Sequence, residues 1–455
     1  MLNLNLEEKI KSKQAVVGIV GLGYVGLPLG VAFAQSGYKV IGIDLSQYKV
    51  DTLNLGDSYI SDVDGKAVRQ VVEAGCFSAT TDYSVIQTLD AIIICVPTPL
   101  SKNQEPDLSY IESVVTELKH YLQKGCLVVL ESTTYPGTTE ERIGKKLEEA
   151  CLHAGIDYHL CYSPERVDPG NKKYQIRNTP KVIGGLTPAC LHLADLLYSS
   201  IVDQTVLVSN PKVAEMSKLL ENTFRSVNIA FVNEMTLMCD AIGVNIWEVI
   251  QAASTKPFGF MPFYPGPGIG GHCIPLDPMY LAWKAKGDNF FSRFIELSQD
   301  LNRNMPRYVV RKISELLNTE KKCINGSHIL LLGMAYKPDV NDLRESPSLE
   351  VYELLQEKGA LVTANDPFCN VMFDSRGQRV EIEDHMDYAT IHGYDLVVLL
   401  TAHSTYNLHR IAGSGVMILD TRNAFSGIPS YNVKRIGDLL EAASPVHHEK
   451  ILVGR

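Results

Sequence analysis

The chain has 455 residues, more than one ordinary core accommodates, so two or three domains are expected. Hydrophobic residues make up 45% and charged residues 21%, and the formal net charge of -10 comes without any basic tract, a balance that fits a globular protein and excludes a nucleic-acid partner. The apolar runs, such as Ala91 to Val96, fall far short of the ~20 residues of a membrane helix, and "MLNLNLEEKIKSK" lacks a secretory core, so a cytoplasmic protein with no membrane partner is expected.

From the N-terminus, β-rich runs alternate with helical stretches, as in a parallel sheet covered by helices. Expected strands are "AVVGIVG" (15–21), "KVIGIDL" (39–45), "AIIICVP" (91–97), "CLVVLEST" (126–133), "YHLCYSP" (158–164), "KVIGG" (181–185) and "TVLVS" (205–209). From Pro211 to about Gly243 runs a helical pattern without internal Gly or Pro, too long for a routine crossover and suited to a spine between domains. Helical text continues to about Leu317, and a second α/β pattern starts at "SHILLLGMAYKP" (327–338) and continues through a helix at 346–358, "ALVTANDP", "YDLVVLLTA" and "VMILDTRN". The fold class is α/β: two Rossmann-like doubly wound domains joined by a long central helix. The expected boundaries are 1–210, a helical and dimerisation region at 211–319, and 320–455.

At the first strand, Gly21, Gly23 and Gly26 form G-x-G-x-x-G between a strand and a helix, with a second strand ending at Asp44. That context is the dinucleotide fingerprint: a tight turn, a close backbone approach for the pyrophosphate, and close packing of helix on strand. Asp44 would accept hydrogen bonds from the adenosine ribose and repel a 2′-phosphate, so NAD is the expected cofactor. "CVPTP" (95–99) and "ESTTYPGTT" (131–139) follow further strands, with Thr98 and Thr134 as cofactor-side hydroxyls or, equally, as helix caps.

On the spine, Lys218, Asn222 and Arg225 are spaced i, i+4, i+7 and share one face. Leu219, Leu220, Phe224 and Val227 flank that stripe, which suggests that it lines a crevice rather than facing solvent. A lysine and an asparagine there can donate to an oxygen that is gaining negative charge. Downstream, "YPGPGIGGHCIPLDPMY" (264–280) surrounds Cys273 with Gly266, Gly268, Gly270 and Gly271, which free the backbone to wrap a ligand. Asp277-Pro278 reads as a helix start with Asp277 as its cap. A thiol just before a helix N-terminus and near Lys218 should be nucleophilic. In a nicotinamide enzyme it can add to an aldehyde, lose hydride, and yield a thioester for hydrolysis. The ten cysteines show no CxxC pair and His272-Cys273 has no visible second half, so no metal is expected.

Over nearly its whole length the chain resembles the UDP-glucose/GDP-mannose dehydrogenase family, through "GIVGLGYVGLPL", "VPTP", "ESTTYPGTT", "YSPERVDPG", "KLLENTFR", "GIGGHCIPLDP", "GMAYKPDVNDLRESPS" and "DTRN". The resemblance implies oxidation of a nucleotide sugar at C6 to a carboxylate with two NAD. It implies Cys273 as covalent nucleophile, Lys218 and Asn222 stabilising oxyanions, and Asp277 handling the first proton. Thr134 and Glu165 would position and activate water. It implies cofactor contacts at Gly21, Gly23, Tyr24, Val25, Gly26, Asp44, Lys49, Val96, Thr98, Thr134 and Arg344. Substrate contacts are implied at Glu165, Arg166, Val167, Lys218, Asn222, Arg225, Tyr264, Gly270, Lys337 and Arg422, with cations at the C-terminal loops meeting the anionic diphosphate.

"SPERVDPG" and Ile274-Pro275-Leu276 resemble the branch acting on 2-acetamido sugars, particularly UDP-N-acetylglucosamine 6-dehydrogenases, with the galactosamine, mannosamine and glucose substrates as alternatives. Leu276 stands where the glucose branch commonly has a lysine. Ile229, Phe231, Met235 and Leu237 on the spine suggest a dimer seam, and the family commonly dimerises there, so a homodimer is expected. The rival reading from another class is a non-catalytic nucleotide-sugar or NAD-binding regulator; such a protein need not keep Cys273, Lys218, Asn222 and Asp277 together, as this chain does.

Overall fold

The structure is a computed structural model, and it describes residues 5–60, 63–101, 105–168, 170–171 and 173–438. Two compact units divide it. Of the described residues, unit 1 takes those up to 223 together with 276–291, and unit 2 takes 224–275 and 292–438.

Unit 1 carries an eight-stranded sheet: β1 (Val16–Val20), β2 (Lys39–Ile43), β3 (Phe77–Thr80), β4 (Ala91–Ile94), β5 (Leu127–Leu130), β6 (His159–Tyr162), β7 (Lys181–Gly185) and β8 (Thr205–Val208). Their order is β3-β2-β1-β4-β5-β6-β7-β8. The first six strands are parallel and follow the dinucleotide-binding order 3-2-1-4-5-6. Between β6 and β7 the direction reverses. Central strands β4 and β5 are buried at every residue, which is why their sequences are unbroken aliphatic runs rather than alternating ones. Ile93 packs with Val17, Ile19, Leu29 and Phe33 on one face, while Ile92 and Ile94 pack with Val115 and Leu118 on the other. Seven strands lie where the sequence placed them, within three residues. β3 was missed, because "FSAT" alternates buried with more open positions and is too short to stand out.

In unit 2 the strands are β9 (His328–Leu332), β10 (Leu361–Asn365), β11 (Val371–Phe373), β12 (Arg379–Glu381), β13 (Leu396–Leu399), β14 (Ile418–Asp420) and β15 (Val433–Arg435). The main sheet runs β10-β9-β13-β14-β15, parallel throughout. Counted within the unit this is 2-1-3-4-5, a doubly wound order whose switch point lies between β9 and β13. The antiparallel β11–β12 pair and β15 were not visible in the sequence pattern.

The spine is a single helix, Pro211–Ile242. Its residues through Thr223 belong to unit 1 and those from Phe224 to unit 2, so the stretch 211–319 is divided between the two units. A second long helix, Arg293–Thr319, lies in unit 2. No helix among the described residues is long and apolar enough to cross a membrane.

Candidate active site

At the carboxyl end of β1 the glycines do three different things. Gly21 adopts φ +92°, and a Cβ there would meet the Cys95 carbonyl oxygen at 2.7 Å. At Gly26 a Cβ would sit 1.9 Å from the Gly21 carbonyl oxygen, whereas at Gly23 it would meet nothing within 4 Å. The first and third glycines therefore serve packing, and the second leaves open space. The helix Gly26–Gln35 starts there with Val25 at its cap position and no side chain on its N–H groups, the arrangement that accepts a phosphate. Asp44, just past β2, takes the Leu22 amide on Oδ2 at 2.9 Å and the Ser46 amide on Oδ1 at 3.0 Å. Lys49 reaches the same Oδ2 at 3.0 Å. Tyr24 is exposed and Val25 half-buried. These residues fit a dinucleotide.

Val96 and Thr98 follow β4, beside the β1 loop at the switch point. Thr98 is buried, and its hydroxyl donates to the Thr133 carbonyl at 2.7 Å, so it is not a helix cap. Thr134 is fully buried, and its hydroxyl has no hydrogen-bond partner in the structure. An orphaned buried hydroxyl costs roughly 1–3 kcal/mol, a cost that a bound water or ligand at this position would remove.

A polar cluster forms where the spine meets the loops after β5 and β6, all within unit 1. Lys218 Nζ donates to the Glu165 carbonyl at 2.5 Å. Asn222 Nδ2 donates to Asp277 Oδ2 at 2.5 Å. Asp277 was expected to cap its helix, but the cap position is Leu276 and Asp277 is already the first residue of the Asp277–Gly287 helix. Its carboxylate is turned inward and is 2% exposed. Burial pushes its pKa up to about 6, opposed by the Lys218 charge and the Asn222 hydrogen bond. Lys218 and Asn222 thus reach Glu165 and Asp277, whereas Arg225, the third member of the stripe, does not share that environment. Leu219 is buried beside Lys218, while Leu220 and Arg225 are exposed.

Glu165 turns back on its own chain. Its Oε1 accepts the Arg166 and Val167 amides, both at 2.6 Å, and Lys181 Nζ lies 3.3 Å from Oε2. Burial raises its pKa, but Lys181, those amides and Lys218 together win, and the carboxyl lies below its ordinary value. Arg166 is held by Glu221 of the spine at 2.8 Å. Lys181 and its second partner, Glu131, were not singled out in the sequence.

Unit 2 holds the cysteine loop and the C-terminal cations. A Cβ at Gly270 would meet the Glu345 carbonyl oxygen and Tyr336 Cβ, each at 2.7 Å, and one at Gly271 (φ +84°) the Tyr336 ring at 2.7 Å. The Gly271 amide donates to the Arg344 carbonyl at 2.9 Å. The glycines in "GPGIGGHC" thus let the loop lie flat on the 336–347 segment. Cys273 at its end is exposed. Tyr264 is 59% exposed and stacks on Trp247. Lys337 lies past β9 and Arg422 past β14, on loops at the carboxyl ends of the sheet. Arg422 Nε donates to the Leu400 carbonyl at 2.8 Å, and burial lowers its pKa to about 10. Arg344 makes a two-pronged pair with Asp342, at 2.9 and 2.6 Å. Among the described residues no group of three or more His, Cys, Asp or Glu is placed to hold a metal.

Three family models match in sequence: the UDP-glucose/GDP-mannose dehydrogenase NAD-binding domain over residues 15–202, the central domain over 212–304, and the UDP-binding domain over 330–427. The chain belongs to the UDP-glucose/GDP-mannose dehydrogenase family. It is an NAD-dependent UDP-sugar dehydrogenase. An NDP-N-acetyl-D-galactosaminuronic acid dehydrogenase of Ralstonia nicotianae is 36% identical over 90% of this chain and 96% of its own length. A UDP-N-acetyl-D-mannosamine dehydrogenase of Escherichia coli is 37% identical over 75% of this chain and 83% of its own. The solved UDP-D-ManNAc dehydrogenase of Pyrococcus horikoshii superposes with a TM-score of 0.83, at 32% identity, over 93% of this chain and 99% of that one.

Proposed function

We propose that this dehydrogenase oxidises C6 of a UDP-N-acetylhexosamine to the uronic acid, in two two-electron steps. Bound NAD, held by Gly21 to Gly26, Asp44 and the Val96–Thr98 loop, supplies the hydride acceptor for each step. Asp277 with Lys218 takes the proton of the C6 hydroxyl as the aldehyde forms. The Cys273 thiolate then adds to that carbonyl, and Lys218 and Asn222 donate to the oxyanion. After the second oxidation Glu165 removes a proton from water held by Thr134. The water oxygen bonds to the thioester carbon, the C–S bond breaks, and carboxylate and thiol are released. Lys337 and Arg422 neutralise the substrate diphosphate, and Arg344 contacts the cofactor.

What supports this reading is the buried Asp277, joined to Asn222 and facing Lys218, only four residues beyond Cys273. Four residues of chain span at most about 14 Å, which bounds how far the thiol can lie from that carboxylate along the backbone.

For the sugar, "SPERVDPG" and Ile274-Pro275-Leu276 favour UDP-N-acetylglucosamine. The names of the relatives make the C2 and C4 epimers the competing substrates. Purified enzyme given UDP-glucose and the three acetamido epimers should release two NADH per acetamido sugar and act weakly on UDP-glucose. Cys273→Ser should lose turnover and keep NAD binding; turnover at the wild-type rate would remove the covalent step.

Of the expected seam residues Phe231 is exposed and Ile229 half-buried, whereas Met235 and Leu237 pack on the core of unit 2; Phe231, with exposed Met238 and Ile242, supports a homodimer through that helix. Light scattering at the mass of one chain would exclude it.

A further inference from the structure

One antiparallel strand pair sets up an interaction that no sequence motif announces. β6 and β7 pair Cys161 with Gly185 and Tyr162 with Gly184. Continuing that register past the paired residues brings Lys181, the first residue of β7, opposite Glu165. The Ser163 hydroxyl, donating to the Val182 carbonyl at 2.8 Å, holds the two segments together beyond the ladder.

We propose that Lys181, anchored from behind by Glu131 and Tyr198, is a positioning residue that clamps the water-activating carboxylate of Glu165. The inference rests on the role given to Glu165 above. Lys181 is a buried ammonium, its side chain 6% exposed, 2.8 Å from Glu131 Oε2 and 3.3 Å from Glu165 Oε2. Tyr198 donates its hydroxyl to the other Glu131 oxygen, and its ring lies 5.3 Å from the Lys181 nitrogen. Glu165 Oε1 is already occupied by two amides, so Oε2 is the oxygen that faces Lys181 and remains to take a proton.

The charge count is what separates this from a plain structural ion pair. One carboxylate would neutralise the buried lysine; here two share it, so neither has its full charge. Lys218 also bears on Glu165, and the buried Cys95 and Tyr162 lie in the same field. Burial raises Glu131, whereas Glu165 is held down. Lys181 is thus divided between a partner that fixes it in place and a partner that does chemistry.

The test uses the full-length enzyme with whichever acetamido epimer the wild type turns over fastest, following decay of the acyl-enzyme after rapid mixing at a series of pH values. Lys181→Met should give a full NADH burst, hydrolysis slowed roughly 10- to 100-fold, and an acid limb displaced to higher pH. Lys181→Arg should restore the limb. Glu131→Gln should displace the limb to lower pH, because the whole ammonium then serves Glu165. Opposite displacements in the Met and Gln variants are the expected signature; an unmoved limb in both, or movement in one direction, overturns the proposal. Should Lys181→Met fail to fold, the Glu131→Gln displacement decides alone. Glu165→Gln is the separate control: if its acyl-enzyme decays at the wild-type rate, the role of Glu165 falls whatever Lys181 does.

Discussion

Asn222 of the spine helix donates to the carboxylate of Asp277, the first residue of its own helix, and that carboxylate is almost completely buried. One hydrogen bond thus links two helices and leaves a carboxyl group poised to titrate near neutrality.

Because burial raises Asp277 to about 6, its charged form opposes folding above that pH. A raised carboxyl contributes stability that is present below its unfolded pKa and lost as pH rises through about 6. Asp277→Asn should therefore raise the unfolding free energy at pH 8, by at most about 3 kcal/mol, with a higher Tm, and should gain little at pH 4. The same variant should lose at least roughly 100-fold in turnover. Asn222→Ala, which removes a hydrogen bond to the charged form, should shift the acid limb of the first oxidation upward. Thermal scans and pH–rate profiles check both.

The two glycines of the cofactor turn should separate by substitution. Gly23→Ala meets open space, so its unfolding midpoint should stay near wild type while NAD affinity falls at least about tenfold, a loss of roughly 1.4 kcal/mol. Gly26→Ala drives a methyl to 1.9 Å from the Gly21 carbonyl and should destabilise the fold by about 1–3 kcal/mol. Calorimetric titration with NAD and denaturant melts distinguish them.

Asp44→Ala removes the carboxylate that repels a 2′-phosphate and leaves Lys49, its 3.0 Å partner, unpaired. The NADP:NAD ratio of kcat/KM should rise, by about tenfold or more. An unchanged ratio would mean that another group excludes the phosphate.

In unit 2, Asp366 past β10 accepts the Met334 and Ala335 amides, both at 2.8 Å, and pairs with His403 Nε2 at 3.0 Å. The Asp339 amide donates to His403 Nδ1, so Nε2 carries the ring proton and donates to Asp366. His403 and these amides outweigh burial and hold Asp366 below its ordinary value. A depressed carboxyl stabilises above its unfolded pKa and loses that contribution as pH falls through its folded pKa. Asp366→Asn should cost about 2 kcal/mol at pH 7 and progressively less below pH 4, as pH-dependent denaturation will register.

The cofactor end was legible because its chemistry is local. Strand, glycine turn, helix and Asp44 are consecutive in the chain, and the positive φ of Gly21 and its close approach to Gly26 lie within the turn itself, although a side chain at Gly21 would also meet the Cys95 carbonyl. The Gly/Pro loop was legible as irregular backbone, but not as a segment lying flat on residues 336–347; only packing reveals that Gly270 and Gly271 yield to Tyr336. Asp277 was misread because Asp-Pro is a good local cap, and the competing tertiary contact with Asn222 won the carboxylate.

By itself the sequence determined the strand-helix order of both main sheets apart from β3 and β15, the dinucleotide turn and the thiol of the Gly/Pro loop, since short-range periodicity and backbone sterics fix these. The tertiary structure decided which charges meet. The reversal between β6 and β7 sets Lys181 against Glu165, sixteen residues away, and burial raises Asp277 while lowering Glu165. Desolvation and Coulomb attraction depend on what surrounds a carboxylate in space, and neither is written in its neighbours along the chain.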